Sequence, residues 1–407
     1  MRLHLRLNRL MGIGELTAHE AYFAAPFPGV PDFLLDGRSS AVGSGQENEA
    51  DKMKLVQDSR RLNMRTVALK AGVSSATVSR VINESGTVKK ETAEHVRRIL
   101  DELKFIPNPI ATTLKYGRSK TYGVIVPDLM NPFFPEFLVS LEETLVENDH
   151  ELMLATTHSS EQKLVKSVRR MLARHVDGVI LMPSEYETRA IEPLFEHRIP
   201  IVTIDRRRVQ RGSGDVGIDF DDGYRQAALH LASLGHRRVG FIGGNEHFRT
   251  SQIRLKAFQN ALSTAGLTYY PELTRIGNYR VSGGETAMQE MLEAKKRPTA
   301  VVTVNDLSAF GALRVLHSRG IEVPGEMSLV GFDGISLSAA MYPPLTTIHV
   351  APKDLVQGCM RAFDHLKADV EMRGLRLNVP ATLVVRGSTG PVPTGPASRG
   401  AAVRGSA

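Results

Sequence analysis

A helix, a tight turn and a second short helix can be recognised in residues 66–83, TVALKAGVSSATVSRVIN. Val67 and Ala71 recur at helical spacing, and Gly72 can adopt the positive φ that commonly ends a helix. Ser74 offers a side-chain oxygen that can cap the next helix. The segment therefore predicts a helix-turn-helix, a motif that can place its second helix in the major groove of DNA.

The second helix of this motif has one polar face. Only Val78, Val81 and Ile82 are apolar in it, so they can pack while the opposite side presents hydrogen-bonding groups and one arginine. Two short helices around a glycine also occur in ordinary helical domains, and the spacing alone leaves that alternative open. The small polar side chains favour DNA reading, because such a face fits the major groove. The face consists of Ser75, Ala76, Thr77, Ser79, Arg80 and Asn83.

Positive charge is concentrated around the motif. Residues 52–120 contain 15 Lys or Arg against 6 Asp or Glu, a net charge of +9, whereas the whole chain has a net charge of +7. The remaining residues are therefore slightly acidic. A local basic excess indicates a polyanion as the partner of that segment, because neutralising phosphates releases counterions.

Residues 71–83, AGVSSATVSRVIN, resemble the headpiece of the lactose repressor (LacI/GalR) family of bacterial transcription regulators. Residues 104–114, KFIPNPIATTL, resemble the end of that family's third headpiece helix and its hinge helix. The resemblance continues through most of the remaining chain. It implies a homodimer that binds a pseudo-palindromic operator in double-stranded DNA and responds to a small-molecule effector. Lys89 departs from the family pattern, which often has a capping serine at the start of the third helix.

The resemblance implies roles for the polar face. Ser75, Ala76 and Arg80 are the candidates for contacts with base edges, and Arg80 would contact a guanine, worth about 1–3 kcal/mol of discrimination. The other polar side chains of the helix would mostly contact the DNA backbone. These are Thr77, Ser79 and Asn83.

The hinge segment has helical signals of its own. Asn108 is a good N-cap, Pro109 suits the first helical position, and Ala111 and Leu114 continue at helical spacing. A helix this short is not stable alone, so we expect it to form on DNA beside its copy from a second subunit. Asn108, Ala111 and Leu114 are predicted DNA contacts. The resemblance implies that Leu114 wedges into a minor-groove step, the alternative being an ordinary apolar linker residue.

The composition is that of a multidomain protein without internal disulfides. The chain has 407 residues, 42% of them hydrophobic, which exceeds the usual size of one domain. Cys359 is the only cysteine, which excludes an internal disulfide and a thiolate metal cluster and favours the cytoplasm. Association with the nucleoid is expected from the predicted binding to DNA. A signal peptide is not expected, since Glu15 interrupts the apolar run that follows the basic start.

Both ends of the chain are predicted to be disordered. Residues 1–61 combine proline-rich and polar stretches, and family headpieces usually begin close to the start of the chain. This extension has three alternative explanations: an artefact of an upstream start codon, an arm that touches DNA, or a further addition. Residues 389–407 are rich in Pro, Gly, Ser and Ala and are predicted as a disordered tail.

From residue 120 onward, apolar runs alternate with amphipathic helical patterns. This predicts parallel sheets covered by helices, in two doubly wound lobes that bind ligands at the carboxyl ends of the strands. The fold class is therefore α/β, with an all-α headpiece (62–107), a hinge and linker (108–119), and a core (120–388) that resembles periplasmic binding proteins. The lobes are expected at 120–221 plus 348–378 and at 222–347 plus 379–388. The chain is expected to cross between them near 343–348 and 377–386.

Six residues are effector-contact candidates through the resemblance. Arg254 and the carboxylates would bind hydroxyl groups, and the aromatic rings would cover the apolar face of a sugar or base. Arg254 is interpreted as opening a helix, where the dipole does not favour a cation. Asp306 could instead cap a helix, the phenylalanines could be core residues, and Asp205 could pair with residues 206–208, an arginine run that could also indicate an anionic effector. The candidates are Phe133, Phe134, Asp205, Arg254, Tyr279 and Asp306.

Catalysis has no support in the sequence. The chain contains no G-x-S-x-G elbow, no H-E-x-x-H and no G-x-x-x-x-G-K-[ST], and neither enzyme activity nor a cofactor or metal is predicted. The predicted function is transcriptional regulation, as a repressor of a catabolic operon controlled by a small sugar-like effector. An effector-dependent activator and a regulator with a purine or nucleoside corepressor are alternatives. A solute-binding protein is a remote alternative, because it would have no use for the headpiece.

Overall fold

The computed structural model describes the headpiece and most of the core. The chain forms two compact units, one ending at Ile106 and the other beginning at Pro107. The predicted extension, the hinge contacts Asn108, Ala111 and Leu114, and the end of the tail lie outside the described residues. The described residues are 63–84, 86–106, 118–182, 188–206, 209–368 and 374–392.

The headpiece is a helix-turn-helix followed by a third helix, as predicted. The Asn63 side chain caps the first helix, and Gly72 ends it with a φ of 65°. Ser74 caps the second helix by accepting from the Thr77 N–H at 3.1 Å. Apolar side chains from all three helices, among them Val67, Val78 and Val96, form a common core. The helices are α1 (Met64–Ala71), α2 (Ser75–Ile82) and α3 (Lys90–Glu102).

The core alternates strands and helices along the chain. Its strands are β1 (Thr121–Val126), β2 (Glu151–Thr156), β3 (Gly178–Leu181), β4 (Ile201–Ile204), β5 (Ser213–Ile218), β6 (Val239–Gly243), β7 (Thr274–Ile276), β8 (Ala300–Thr303), β9 (Ser328–Asp333), β10 (Thr346–His349), β11 (Leu375–Val379) and β12 (Thr382–Val384). Its helices are α4 (Phe133–Glu147), α5 (Glu161–Ala173), α6 (Glu192–Glu196), α7 (Phe220–Ser233), α8 (Arg249–Thr264), α9 (Val281–Leu292), α10 (Asp306–Ser318), α11 (Leu337–Ala340) and α12 (Pro352–Ala368).

These strands form two sheets, one for each lobe. The first sheet is parallel throughout, in the order β11-β5-β4-β3-β1-β2. The second has the order β12-β10-β9-β8-β6-β7, and its edge strand β12 runs antiparallel to β10. Strands β3, β4 and β5 are buried along their whole length, as expected when helices cover both faces. The predicted α/β fold is confirmed, with the antiparallel edge strand as a difference.

The 17-residue helix α12 lies in residues 348–378, which the sequence assigns to the first lobe without predicting a helix there. It packs against α4, β5 and β11 and so belongs to the first lobe. Cys359 and Phe363 are fully buried in this contact, and the Phe363 ring lies 4.8 Å from the ring of Tyr122. The first lobe is therefore completed by residues that follow the second lobe in the sequence.

The chain passes between the two sheets three times. It leaves β5 for α7, β10 for α12, and β11 for β12. The Asp219 N–H donates to the Val379 carbonyl oxygen at 3.0 Å, which connects the first crossing to the third. The crossing predicted at 343–348 is misplaced, because Thr346–His349 is a strand of the second sheet.

A glycine spacing of the dinucleotide-binding type, G-x-G-x-x-G, occurs at residues 212–217. Gly214 and Gly217 lie inside the buried strand β5. The phosphate-binding fingerprint requires instead a turn between a strand and a helix. A Cβ atom at Gly214 would lie 2.9 Å from the Cβ of Ala362 on α12, so this spacing reflects close packing.

The last described residues are packed onto the second lobe. Ser388 Oγ donates to the Leu329 carbonyl oxygen at 2.6 Å, and the Val392 N–H donates to the Leu234 carbonyl oxygen at 2.8 Å. The predicted start of the disordered tail at residue 389 is therefore too early, because hydrogen bonds hold the chain to the core as far as Val392.

His236 is a buried part of this attachment. Its Nε2 lies 3.0 Å from the Gly390 carbonyl oxygen and 2.9 Å from Ser328 Oγ, and its Nδ1 lies 2.9 Å from Thr299 Oγ1. Burial lowers the pKa of His236 below its usual value of 6.5. The folded protein therefore holds the imidazole neutral at a pH where the unfolded chain would protonate it.

We predict that acid weakens the core through His236. Because the folded pKa is depressed, the stabilisation is complete above pH 6.5 and is lost as the pH falls below that value. His236→Asn should lower the urea midpoint at pH 8 but make it less dependent on pH between 7 and 5. Urea unfolding followed by circular dichroism measures both effects. The exposed His175→Asn is the control, and an unchanged pH dependence in His236→Asn would contradict the prediction.

Candidate functional site

A cleft between the two lobes of the core has a volume of about 1040 Å³, including its open mouth. It lies at the carboxyl ends of the parallel strands, the place where doubly wound folds bind ligands. The first lobe contributes residues that follow β1, β3 and β4. The second lobe contributes residues that follow β7 and β8, together with residues at the start of α8. Apolar side chains at its first-lobe wall include Met182, Ile204 and Ile218.

Arg254 lines this cleft from the second turn of α8. The helix begins at Arg249, so the interpretation that Arg254 opens a helix is wrong. Its guanidinium packs against the rings of both Phe220 and Phe332, with Cζ 4.5 Å from each ring centroid. Nη1 donates to the Val304 carbonyl oxygen at 2.6 Å, whereas Nε has no hydrogen-bond partner within the described ranges. The guanidinium is thus held in place with donor capacity left for a ligand.

Asp333 is a cleft carboxylate that the sequence analysis missed. It ends β9 with a φ of 101°, and its Oδ1 lies 3.9 Å from Arg254 Nη1. Its Oδ2 accepts from Asn131 Nδ2 at 3.0 Å. Burial raises the pKa of Asp333 to about 6, although Arg254 and Asn131 favour the ionised form. The available signal was an aspartate directly after a buried strand, the position that Asp205 also occupies.

Side chains of the two lobes meet across the cleft. Burial favours protonation of Asp128, but hydrogen bonds from Arg280 and from the Met130 N–H hold its pKa below the usual range. An ionised Asp128 therefore pairs with the Arg280 guanidinium across the cleft. These contacts stabilise the closure that the structure shows. The pairs are Asn131 with Asp333, Asp128 with Arg280, and Glu136 with Ser336.

Aromatic side chains supply much of the apolar surface of the cleft. Phe133 and Phe134 pack edge to face, with ring centroids 5.8 Å apart, and both line it. The Tyr279 ring lies 6.5 Å from the Phe248 ring with the planes 23° apart, and its hydroxyl is 2.7 Å from Ser251 Oγ. The structure therefore brings the three aromatic candidates together and adds Phe248, which the sequence analysis did not single out.

The two remaining candidates occupy different positions. Asp205 follows β4 and lines the cleft. Asp306 is buried behind the wall, where its carboxylate accepts from Thr347 Oγ1 at 2.5 Å and from the Ile335 N–H at 2.9 Å. Burial raises the pKa of Asp306 well above its usual value. The prediction for Asp306 is corrected: its neighbour Asn305 lines the cleft and caps α10, while Asp306 supports the wall.

The helix α2 presents part of the predicted DNA face to solvent. Ser75, Ala76 and Arg80 are exposed, as a contact with base edges requires. Ser79 is only 3% exposed and packs into the headpiece, so its predicted contact with the DNA backbone is corrected. Asn83 ends the helix by donating from Nδ2 to the Ser79 carbonyl oxygen at 2.7 Å.

Two further headpiece residues were singled out from the sequence. Thr77 is half-buried in the first turn of α2, beside the capping Ser74. Lys89 precedes α3 and makes no capping hydrogen bond with its side chain, in agreement with the predicted departure at that position. The start of α3 is therefore left without a side-chain cap.

Within the described ranges, no group of three or more His, Cys, Asp or Glu side chains is arranged to hold a metal ion. None of the described helices is long and apolar enough to cross a membrane.

We predict that Arg254 stabilises the core in a pH-dependent way. Arg254→Met would leave the buried Asp333 without its neighbouring cation, which should lower the free energy of unfolding by about 3 kcal/mol at pH 8. The loss should be smaller at pH 5, because Asp333, with a pKa of about 6, is then protonated. The double variant Arg254→Met/Asp333→Asn should recover much of the loss at pH 8. Equal losses at both pH values with no recovery would contradict the prediction.

The headpiece and the core each match a known protein family. Residues 63–108 match the bacterial regulatory proteins of the lacI family, and residues 228–389 match a periplasmic binding protein-like domain. The HTH-type transcriptional repressor PurR of Haemophilus influenzae (strain PittEE) is 32% identical over 332 residues, which cover 80% of this chain and 98% of that protein.

Two solved structures show the same similarity. The Lac repressor dimer bound to operator and the anti-inducer ONPF has a TM-score of 0.72 and 25% identity, covering 81% of this chain and 99% of that chain. A LacI family transcriptional regulator from Enterococcus faecium with bound ribose has a TM-score of 0.60 and 28% identity, covering 67% of this chain and 99% of that chain. The resemblance found in residues 71–83 is confirmed, and the chain belongs to the LacI family of DNA-binding transcriptional regulators.

Proposed function

We propose that this regulator represses a catabolic operon and that a small, uncharged, sugar-like effector in the cleft controls its hold on DNA. The observation that carries the proposal is the cleft itself, whose lining combines a fixed guanidinium and hydrogen-bonding side chains with aromatic rings. Hydroxyl groups suit the polar side chains, and the apolar face of a sugar ring suits the aromatic rings. The proposal includes no catalytic step and no cofactor.

The charge of the cleft favours an uncharged ligand. Its described lining contains two guanidinium groups, Arg254 and Arg280, against three carboxylates. Arg280 is already paired with Asp128, and Arg254 lies beside Asp333. An added phosphate or carboxylate would find no excess of positive charge in this lining. Phosphosugars and sugar acids are therefore less suitable than neutral sugars.

A named relative supports the effector class. The Enterococcus faecium regulator was solved with ribose, a neutral sugar. A purine or nucleoside corepressor is the alternative, since Phe133, Phe134 and Tyr279 line the cleft and could stack on a base. An effector-dependent activator would use the same cleft.

On DNA, we propose a homodimer on a pseudo-palindromic operator. Ser75, Ala76 and Arg80 would contact base edges. Thr77 and Asn83 would contact the DNA backbone. The hinge residues Asn108, Ala111 and Leu114 would contact DNA as well, with Leu114 wedged into a minor-groove step. Such a protein works where the chromosome is, in the cytoplasm and at the nucleoid.

Effector and operator would be linked through lobe closure. A ligand that binds Arg254 also acts on Asp333, whose other oxygen is bonded to Asn131 of the first lobe. Ligand binding and closure then share one equilibrium, with a coupling of about 1–3 kcal/mol typical of such linkage.

We predict that calorimetry will detect binding of a neutral sugar. The panel should include sugars, sugar acids, phosphosugars and nucleobases, with sugars giving the tightest binding. Arg254→Lys should weaken that binding because an ammonium group cannot reproduce the planar guanidinium fork that packs against two rings. Arg314→Lys is the control, since Arg314 is exposed and pairs with Glu285 on the surface. The absence of measurable binding for every compound in the panel would contradict the effector proposal.

We predict that Arg80→Ala relaxes the choice of operator. Removal of the guanidinium that reads a guanine should reduce discrimination at one base pair in each half-site by about 1–3 kcal/mol. Arg98→Ala, an exposed arginine on α3, should change affinity equally for all sequences or not at all. Competition binding with single-base operator variants separates the two effects. If Arg80→Ala discriminates among operator variants as the unchanged protein does, Arg80 does not contact a base edge.

A further inference from the structure

The outer side of α5 and its C-cap residue Arg174 together carry five cations. The inner side is fixed to the first lobe by Leu164, Val168 and Met171, which are fully buried. With 3.6 residues per turn, the basic residues fall on the opposite, solvent side of the helix, and all five are exposed. This basic face consists of Lys163, Lys166, Arg169, Arg170 and Arg174.

No carboxylate balances this face. None of its five side chains forms an ion pair with a carboxylate among the described residues. The acidic residue of the helix, Glu161, lies in its first turn, near the capping Ser160. In the same lobe, α4 has the opposite character, with four glutamates and no Lys or Arg. Charge is thus segregated between helices of one lobe, and the positive part has no carboxylate partner in the described part of the chain, where Arg170 donates only to Ser167 Oγ.

We propose that the basic face binds phosphate groups of the DNA that flanks the site read by the headpiece. Duplex DNA carries one negative charge per about 1.7 Å of its axis, so a row of cations spanning about 16 Å can meet several phosphates. The headpiece of the same chain holds that DNA at a high effective concentration. This inference rests on the proposed DNA-binding function and extends it to the core.

Duplex DNA suits the face better than an acidic protein does. Protein interfaces depend on buried apolar or aromatic anchors, which charged residues surround. None of the exposed large hydrophobic residues of the described chain lies on α5. A face of lysine and arginine without an apolar anchor is typical of binding to a phosphate backbone.

The test uses the intact protein and a palindromic site that it selects from a random-sequence pool. One duplex ends at the site and the other extends 20 base pairs beyond it on each side. The unchanged protein should bind the extended duplex more tightly, with a steeper dependence on KCl concentration. The triple variant Lys166→Gln/Arg169→Gln/Arg170→Gln should lose that difference. Its slope of log K against log[KCl] should become shallower by about 0.9 for each phosphate that the variant no longer neutralises.

The control variant removes the same charge elsewhere. Lys256→Gln/Lys295→Gln/Lys296→Gln changes three exposed lysines of the second lobe and should bind both duplexes as the unchanged protein does. Equal binding of the two duplexes by the unchanged protein would overturn the inference, as would equal effects of the two triple variants. If the pool yields no preferred site, the DNA-reading function itself fails, which is a distinct result.

Discussion

The buried guanidinium of Arg254 constrains the arrangement of the second lobe. Removing a cation from water costs several kcal/mol unless other groups replace the water. Here two aromatic faces, a carbonyl oxygen and a nearby carboxylate do so. Phe220 opens α7 directly after the first crossing between the lobes, and Phe332 lies in β9. Helix α7 and strand β9, which are distant in the sequence, therefore meet at the Arg254 guanidinium. Arg254 itself lines the cleft.

The same charge connects the ligand site to lobe closure. Arg254 lies beside Asp333, and Asp333 accepts a hydrogen bond from Asn131 of the other lobe. The positive φ of Asp333 places its carboxylate at this junction in a backbone conformation that side chains rarely adopt. A molecule that hydrogen-bonds to Arg254 thus alters the field at a carboxylate that already spans the cleft. Under the proposed function, ligand binding and lobe closure would be linked through these contacts without a separate relay.

The sequence predicts the headpiece well because its signals are local: Gly72 and Ser74 mark the turn whatever surrounds them. Alternation of strands and helices likewise predicts two parallel sheets. The missed features depend on distant partners. Helix α12 is polar on one side and packs on a sheet formed more than a hundred residues earlier. The sequence places Ser79 on the polar face of α2, yet its side chain faces the headpiece core. Asn305 lines the cleft, whereas the side chain of the next residue, Asp306, points behind the cleft wall. The tail is held by His236, which composition cannot reveal.

The placement of α12 and β11 has a consequence for synthesis. The second lobe is largely continuous, from α7 to β10, and once residue 349 has emerged it lacks its edge strand β12 and the residues up to Val392 that pack on it. The first lobe begins earlier but lacks its edge strand β11 and its covering helix until residue 379 has emerged. Its sheet, including the buried strand β5, stays uncovered on that side meanwhile. The strands of the first lobe are made first and wait longest for their cover, so the nascent first lobe is the stage most exposed to aggregation.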